Sequence, residues 1–314
     1  MNRTVPYILV LLMVSSGCRE QLGPDQALPT PAHTPLSGHI SGTLKFANSP
    51  FYLSGTIVID SSQSVTIEPG VQVFCDDSTV IIVRGALLAQ GTADKTILFT
   101  ALHTQWDGIK ILNSTGISAF QFAVFEKINA VNDRTRNGSI DVVNSSITVH
   151  NCLLAQNNAP SGGGISLSAS KGTITNSVFS VNKASVYGGA VVADSSTATI
   201  VNNTFFGNTS WNAGGGLAVS SAQDDTIENN IFYENASRTL DPNLQILASD
   251  SSRYLVKYNF FGSDTNDPLF ASTSDFHLLS SSPCRRAGNP SPAFNNLDGS
   301  RNDQGAYGGP MGNW

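Results

Sequence analysis

Asn151-Cys152-Leu153-Leu154-Ala155-Gln156-Asn157 returns as Asn176-Ser177-Val178-Phe179-Ser180-Val181-Asn182, as Asn202-Asn203-Thr204-Phe205-Phe206-Gly207-Asn208 and as Asn229-Asn230-Ile231-Phe232-Tyr233-Glu234-Asn235. A weaker fifth copy reads Lys257-Tyr258-Asn259-Phe260-Phe261-Gly262-Ser263. The apolar anchors Leu154, Phe179, Phe205, Phe232 and Phe260 are spaced by 25, 26, 27 and 28 residues. Five residues before each stands another apolar side chain: Val149, Ile174, Ile200, Ile227 and Leu255. Gly162-Gly163-Gly164, Gly188-Gly189 and Gly214-Gly215-Gly216 set a second register, each opening a short apolar stretch. Self-similarity at such a period marks a solenoid or another repeat architecture.

Within each unit, β-branched runs such as Thr173-Ile174-Thr175 and Thr199-Ile200-Val201 are bounded by Gly, Asn and Ser, which is the pattern of short strands between turns. A strand of four or five residues cannot bury its apolar face alone. It can when the next unit pairs with it in parallel and continues an interior column of Ile, Val and Phe. Asn157, Asn182, Asn208 and Asn235 then fall at one turn of successive units, where stacked amides hydrogen-bond along the stack and Asn tolerates the left-handed backbone. No long window carries apolar residues at helical spacing, and Gly is too frequent for helix interiors. The earlier body continues the pattern less regularly, through Gly55–Ile59, Ser64–Ile67, Val71–Phe74, Val80–Val83 and Ile97–Phe99. The expected fold class is all-β, a right-handed single-stranded parallel β-helix (solenoid) of about nine coils, ~40 Å long at ~4.8 Å per rung, closed by an irregular C-terminal cap.

Composition agrees. Of the 314 residues only 13% are charged and 40% are hydrophobic, too apolar for disorder and without an apolar run long enough to span a bilayer. A formal net charge of −6 gives nucleic acid no basic surface. Arg3, the apolar run Tyr7–Val14 and Ser15-Ser16-Gly17-Cys18 read as a signal peptide over 1–17. The small residues before Cys18 resemble a bacterial lipobox, with Ser15 where Leu is usual, and imply lipidation of Cys18. Membrane contact is then through the lipid anchor only. Arg19 lacks the Asp that favours inner-membrane retention, which points to the outer membrane. Pro24, Pro29, Pro31 and Pro35 make 18–38 a semi-rigid tether. The β-helix is expected over 39–265 and the capping segment over 266–314. Cys75, Cys152 and Cys284 have no metal-like spacing, and Cys152 occupies a repeat position shared with Ser177, Asn203 and Asn230, so all three are read as structural and no cofactor is expected.

The strand run from Gly55 to Phe99, the Asn-rich repeats and the tail resemble exported bacterial right-handed parallel β-helix proteins of the pectin-lyase-like superfamily. The tail carries Asp267-Pro268-Leu269-Phe270, Asp275-Phe276-His277-Leu278, Ser282-Pro283, Leu297-Asp298-Gly299 and Asp303-Gln304-Gly305-Ala306-Tyr307-Gly308. The resemblance implies the fold across about residues 40 to 310 and leaves the activity open, since this fold hosts lyases, hydrolases, adhesins and structural stacks. For a lyase it implies carboxylates holding Ca²⁺ against an acidic sugar with Arg or Lys as base, and for a hydrolase clustered Asp residues.

The register of the repeats tests for such clusters. His150, Thr175, Val201, Glu228 and Val256 share one outward column, which separates His150 from Glu228 by three rungs, roughly 14 Å. Lys171 and Asp224 are two rungs apart, and Asp225 and Arg253 are neighbours forming a surface ion pair of little worth. The remaining candidates lie in the irregular stretch 103–141, with His103, Trp106, Asp107, Glu126, Lys127, Asp133, Arg134, Arg136 and Asp141. There Trp106 is a candidate to stack on a sugar and Asp133, Arg134, Arg136 and Asp141 are candidate catalytic residues, set against a plain turn and a solvated loop. Asp298 and Asp303, with Asp267, are weak Ca²⁺ candidates whose spacing matches no standard loop. The leading expectation is a monomeric cell-envelope module that binds polysaccharide or surface material without catalysis. The alternative is a polysaccharide lyase or glycoside hydrolase, with Ca²⁺ required only for the lyase. A purely structural or adhesive stack is the third possibility.

Overall fold

The computed structural model describes residues 35–131, 137–220, 224–247, 253–312 and 314. One coil shows how the chain is built. Ser146–His150 forms a strand on a first face, and Asn151 turns the chain with φ 52°. Leu153–Ala155 lies on a second face, and Gln156 turns again with φ 57°. The two-residue strand Asn158–Ala159 and a glycine corner lead to Ile165–Ser168 on a third face. Ala169, with φ 48°, then delivers Lys171–Thr175 directly beside Ser146–His150, in parallel. Parallel pairing repeats in every strand-to-strand register of the stack. The first face carries nine strands, from Gly42–Leu44 to Tyr254–Lys257. The solenoid makes about eight full turns and is right-handed, the hand of nearly all parallel crossover connections.

The core follows from alternation along each strand. Val149, Ile174, Ile200, Ile227 and Val256 form one inward column, and Leu154, Phe179, Phe205, Phe232 and Phe261 another. Phe179, Phe205, Phe232 and Phe261 are offset-stacked, with successive centroids 5.1, 4.7 and 5.2 Å apart, a geometry aromatic quadrupoles favour. The expected fifth repeat is one residue out of register. Its anchor is Phe261 rather than Phe260, and Val256, not Leu255, lies inward, so Lys257 ends the column of His150 and Glu228. The last coil is 29 residues, and Tyr258, with φ 53°, takes the left-handed corner that Asn151, Asn176, Asn202 and Asn229 hold below it.

Buried side-chain ladders tie the rungs at their corners. Asn157, Asn182, Asn208 and Asn235 form the expected one: each amide oxygen accepts the backbone N–H of the Asn below at 2.9–3.1 Å. Each Nδ2 from Asn182 upward reaches a carbonyl on the adjoining rung, such as Asn208 to Phe179 O at 2.9 Å. A second ladder runs through Cys152, Ser177, Asn203, Asn230 and Asn259, and a third through Ser114, Ser145, Ser170 and Ser196. The glycine corner is equally tight, since a Cβ on Gly163 would lie 2.2 Å from Gly189 O.

The C-terminal segment is irregular as expected, but it covers the side of the stack rather than its end. From the last rung it runs back along the corner between the first and second faces. Gln304 Nε2 donates to Tyr258 O, Gly305 N to Asn229 O, Asn202 Nδ2 to Asp303 O, Asn176 Nδ2 to Gly308 O and Asn151 Nδ2 to Met311 O, at 2.6–2.9 Å. Trp314 ends edge-on to Phe122. Beneath this strap a second apolar cluster forms, with Val178 and Phe206 from the second face against Phe276 and Ala306.

Candidate functional site

With the strap over the second face, the outer side of the third face carries a groove of mixed polar and apolar lining. Outward positions here follow from register: Lys110, Asp141, Ser166, Val192, Ala218 and Gln245 form one column. Leu112, Val143, Ser168 and Asp194 form the next, continued by Ser220 and Leu247. A groove runs along these columns, floored by Ser166, Ser168, Val192 and Asp194 and walled by Asn137, Ser161 and Tyr187. The wall exists because the glycine corners fold the connecting loops outward, with Gly162 and Gly188 at φ 66° and 60°. The Asp194 carboxylate accepts hydrogen bonds from Ser220 Oγ at 2.6 Å and Ser195 Oγ at 3.4 Å.

Among the described residues the groove offers Ser hydroxyls, the Asn137 amide, the Tyr187 phenol, the restrained Asp194 carboxylate and the apolar Val192 and Leu247. Those residues bring no acid–base pair together, whereas glycoside hydrolysis needs two carboxyls about 5–9.5 Å apart. Asp141 is the nearest acid by register, two rungs from Asp194 and so ~10 Å along the stack, and it is only 1% exposed.

The residues singled out in 103–141 do not gather. Trp106, expected to present a ring to sugar, is fully buried, with Nε1 donating to Glu126 O at 2.9 Å. Its ring fills the core of an enlarged coil, so the Trp106-Asp107-Gly108 turn carries no platform. Glu126 accepts from Thr100 on the second face, His103 stands exposed near Asp76, and Asp141 lies on the third face. Asp133, Arg134 and Arg136 lie outside the described residues, as does Cys18. In the tail, Asp298 accepts from Ser300 N, Asp303 from Arg286 N and Asp267 from Leu269 N. Asp298 and Asp267 are committed to their own turns, and Asp303 to a backbone N–H seventeen residues earlier in the tail. The sequence-derived ion pair also changes partner: Arg253 pairs with Asp224 at 3.2 Å, while Asp225 is buried and accepts from Ala198 N at 2.7 Å. Glu228 is buried under the strap, bonded to Asn289.

Soft and borderline metal donors are equally dispersed. His39, His103, His150 and His277 sit on separate elements, and among the described residues no three His, Cys, Asp or Glu side chains could hold a metal ion together. Burial pushes the Cys152 and Cys284 thiols up to about 12 and that of Cys75 higher still, which disfavours the thiolate a metal requires. Tyr187 and Asp194 were missed from sequence. The available signal was the glycine triplets, whose recurrence marks where the loops turn outward.

A parallel β-helix with a lateral groove and a C-terminal strap is the class this fold and site define. Within it, the model of the family described as periplasmic copper-binding protein (NosD) matches residues 53–275. The chain belongs to that family. A pectate lyase, Pel9A, is a structural neighbour at 15% sequence identity, with 88% of this chain and 84% of that chain covered and a TM-score of 0.41. None of the curated proteins compared with the chain is significantly similar to it.

Proposed function

We propose that this protein is exported, held to the cell envelope by a lipid on Cys18, and binds polysaccharide without cleaving it, along the groove of the third face. The observation that carries this reading is the groove itself. Its described lining combines Ser and Asn side chains with Val192, Leu247 and the Tyr187 ring, and its acid among the described residues, Asp194, is held by Ser220. Such a surface hydrogen-bonds sugar hydroxyls and packs apolar groups and a ring against their C–H faces, and among the described residues it brings no second carboxyl beside Asp194, which cleavage would use. The Ser15-Ser16-Gly17-Cys18 sequence supports lipid anchoring, and the family description supports a periplasmic setting. Copper, named in that description, does not fit the described residues, because their His side chains are scattered and their thiols are buried and protonated.

The test incubates the intact chain with neutral and acidic polysaccharides, with and without Ca²⁺, and measures both retention and new reducing or unsaturated ends. Retention without products, weakened at least ~10-fold by Tyr187→Ala, is expected. Products from any polysaccharide overturn the non-catalytic reading, and failure of every polysaccharide to be retained overturns glycan binding.

A further inference from the structure

The C-terminal end of the solenoid is built like an interior rung. Phe179, Phe205 and Phe232 are each fully buried, sandwiched between neighbours in the aromatic column. Phe261 stacks on Phe232 in the same way, yet it is 43% exposed. Among the described residues no rung lies above its outer ring face. Leu244, Ile246 and Val256, inward by register, are likewise only partly buried. The strands Leu244–Ile246, Tyr254–Lys257 and Phe260–Phe261 end their sheets, so among the described residues no strand pairs with their outer edges. The amide ladders stop there too, at Asn259 and Asn243.

No described terminus covers this end. The chain's described start, Pro35, precedes the first rung at the opposite end, roughly 40 Å away at ~4.8 Å per rung. The other terminus, Trp314, lies against Phe122 at the side. An open apolar edge of this kind is a template for pairing, and its shape selects the partner. Three strand edges at three orientations surround one aromatic centre, so an added single strand satisfies one edge and leaves the others and Phe261 open. A second solenoid end satisfies all of them. The opposite end of the chain carries the tether, which leaves the C-terminal rung as the free one. The exposed charges around it are mixed, Arg253 and Lys257 against Asp241 and Asp264, and raise no net repulsion between two copies.

We infer that the protein forms a two-fold dimer through its last rung, the two stacks end to end with their terminal strands antiparallel, in place of the monomer expected from the sequence. The contact is self-complementary and closes at two copies. The contact spans a single rung of short strands, so the dimer is a reversible one.

Sedimentation equilibrium of the full chain, in density-matched detergent, gives the mass as a function of concentration. A monomer–dimer equilibrium is expected, its dissociation constant raised at least ~10-fold by Phe261→Glu and unchanged by Leu279→Glu, an exposed site in the strap. Because Phe261→Glu could disturb folding, hydrogen exchange of the unaltered protein supplies an independent readout. Amides of 244–246, 254–257 and 260–261 should exchange more slowly as concentration rises, while those of the first rung do not change. A mass of one chain at every concentration overturns the inference. So do larger open assemblies, and so does a dimer indifferent to Phe261→Glu with no protection of the last rung.

Discussion

Replacing Asn208 with Ala removes four hydrogen bonds from a site with no solvent access. Its Oδ1 accepts from Asn182 N at 2.9 Å and Asn182 Nδ2 at 3.0 Å, and its Nδ2 donates to Phe179 O at 2.9 Å and Asn235 Oδ1 at 3.0 Å. Two partners keep an alternative, since Asn182 Nδ2 still reaches Leu154 O and Asn235 Oδ1 still accepts Asn208 N. Asn182 N and Phe179 O lose the amide that faces them at a buried corner. At about 1–3 kcal/mol for each buried group left unsatisfied, the expected cost is about 2–6 kcal/mol, a large fraction of the stability of an ordinary domain. With an m-value of about 3 kcal/mol/M, the urea midpoint falls by roughly 1 M or more. Far-ultraviolet circular dichroism and Trp fluorescence should be followed together, because coincident transitions are what license a single free energy. Thr104→Ala is the control: it loses an exposed bond to Asp77 Oδ1 and should cost under ~0.5 kcal/mol. A cost for Asn208→Ala no larger than that of the control would refute the ladder as a stabilising device.

Four further outcomes are expected. Phe205→Ala opens a cavity in the aromatic column and should cost about 3–5 kcal/mol, read by the same urea titration. Asn202→Ala removes the bonds to Asp303 O, Gly305 O and Asn302 Oδ1 and should loosen the strap, seen as faster limited proteolysis after residue 300 than in the unaltered chain. Burial lowers the His150 pKa, so the unfolded chain binds the proton more readily. His150 therefore lowers stability as pH falls through ~6.5, and His150→Gln should flatten that slope in thermal melts between roughly pH 7 and 5. The buried thiols of Cys75, Cys152 and Cys284 should resist a maleimide at pH 8 in the native protein and react fully in urea, with Cys18 outside the comparison.

The repeat was legible because it is local. Phe179, Phe205 and Phe232 recur with Asn182, Asn208 and Asn235 at fixed offsets, and a parallel stack is the arrangement that serves both sets at once. The last copy slipped by one because Tyr258 holds the corner that Asn holds elsewhere, and nothing in a Tyr announces a left-handed backbone. Trp106 was misjudged for a related reason: its coil departs from the repeat length, so register could not tell inside from outside. The partners of Asn151, Asn176, Asn202 and Asn229 were invisible for a different reason. They lie in the strap, up to 160 residues away in sequence, where no periodicity connects them. The groove was half legible, its glycine corners conspicuous and the side chains they turn outward undistinguished.

A stack whose rungs touch only their neighbours unfolds like a zipper, each turn answering to the next. The C-terminal strap changes that grammar. By bonding to Tyr258, Asn229, Asn202, Asn176 and Asn151 in succession, it makes distant turns share one fate. The turns before Phe122 have no such rail and are left to fray individually. The molecule is thus two mechanical regimes on one axis, a soft end at its first rungs and a rigid end along the strap. Pulled from its N-terminal side, it would yield first at those rungs, and the groove on the later coils would hold its shape.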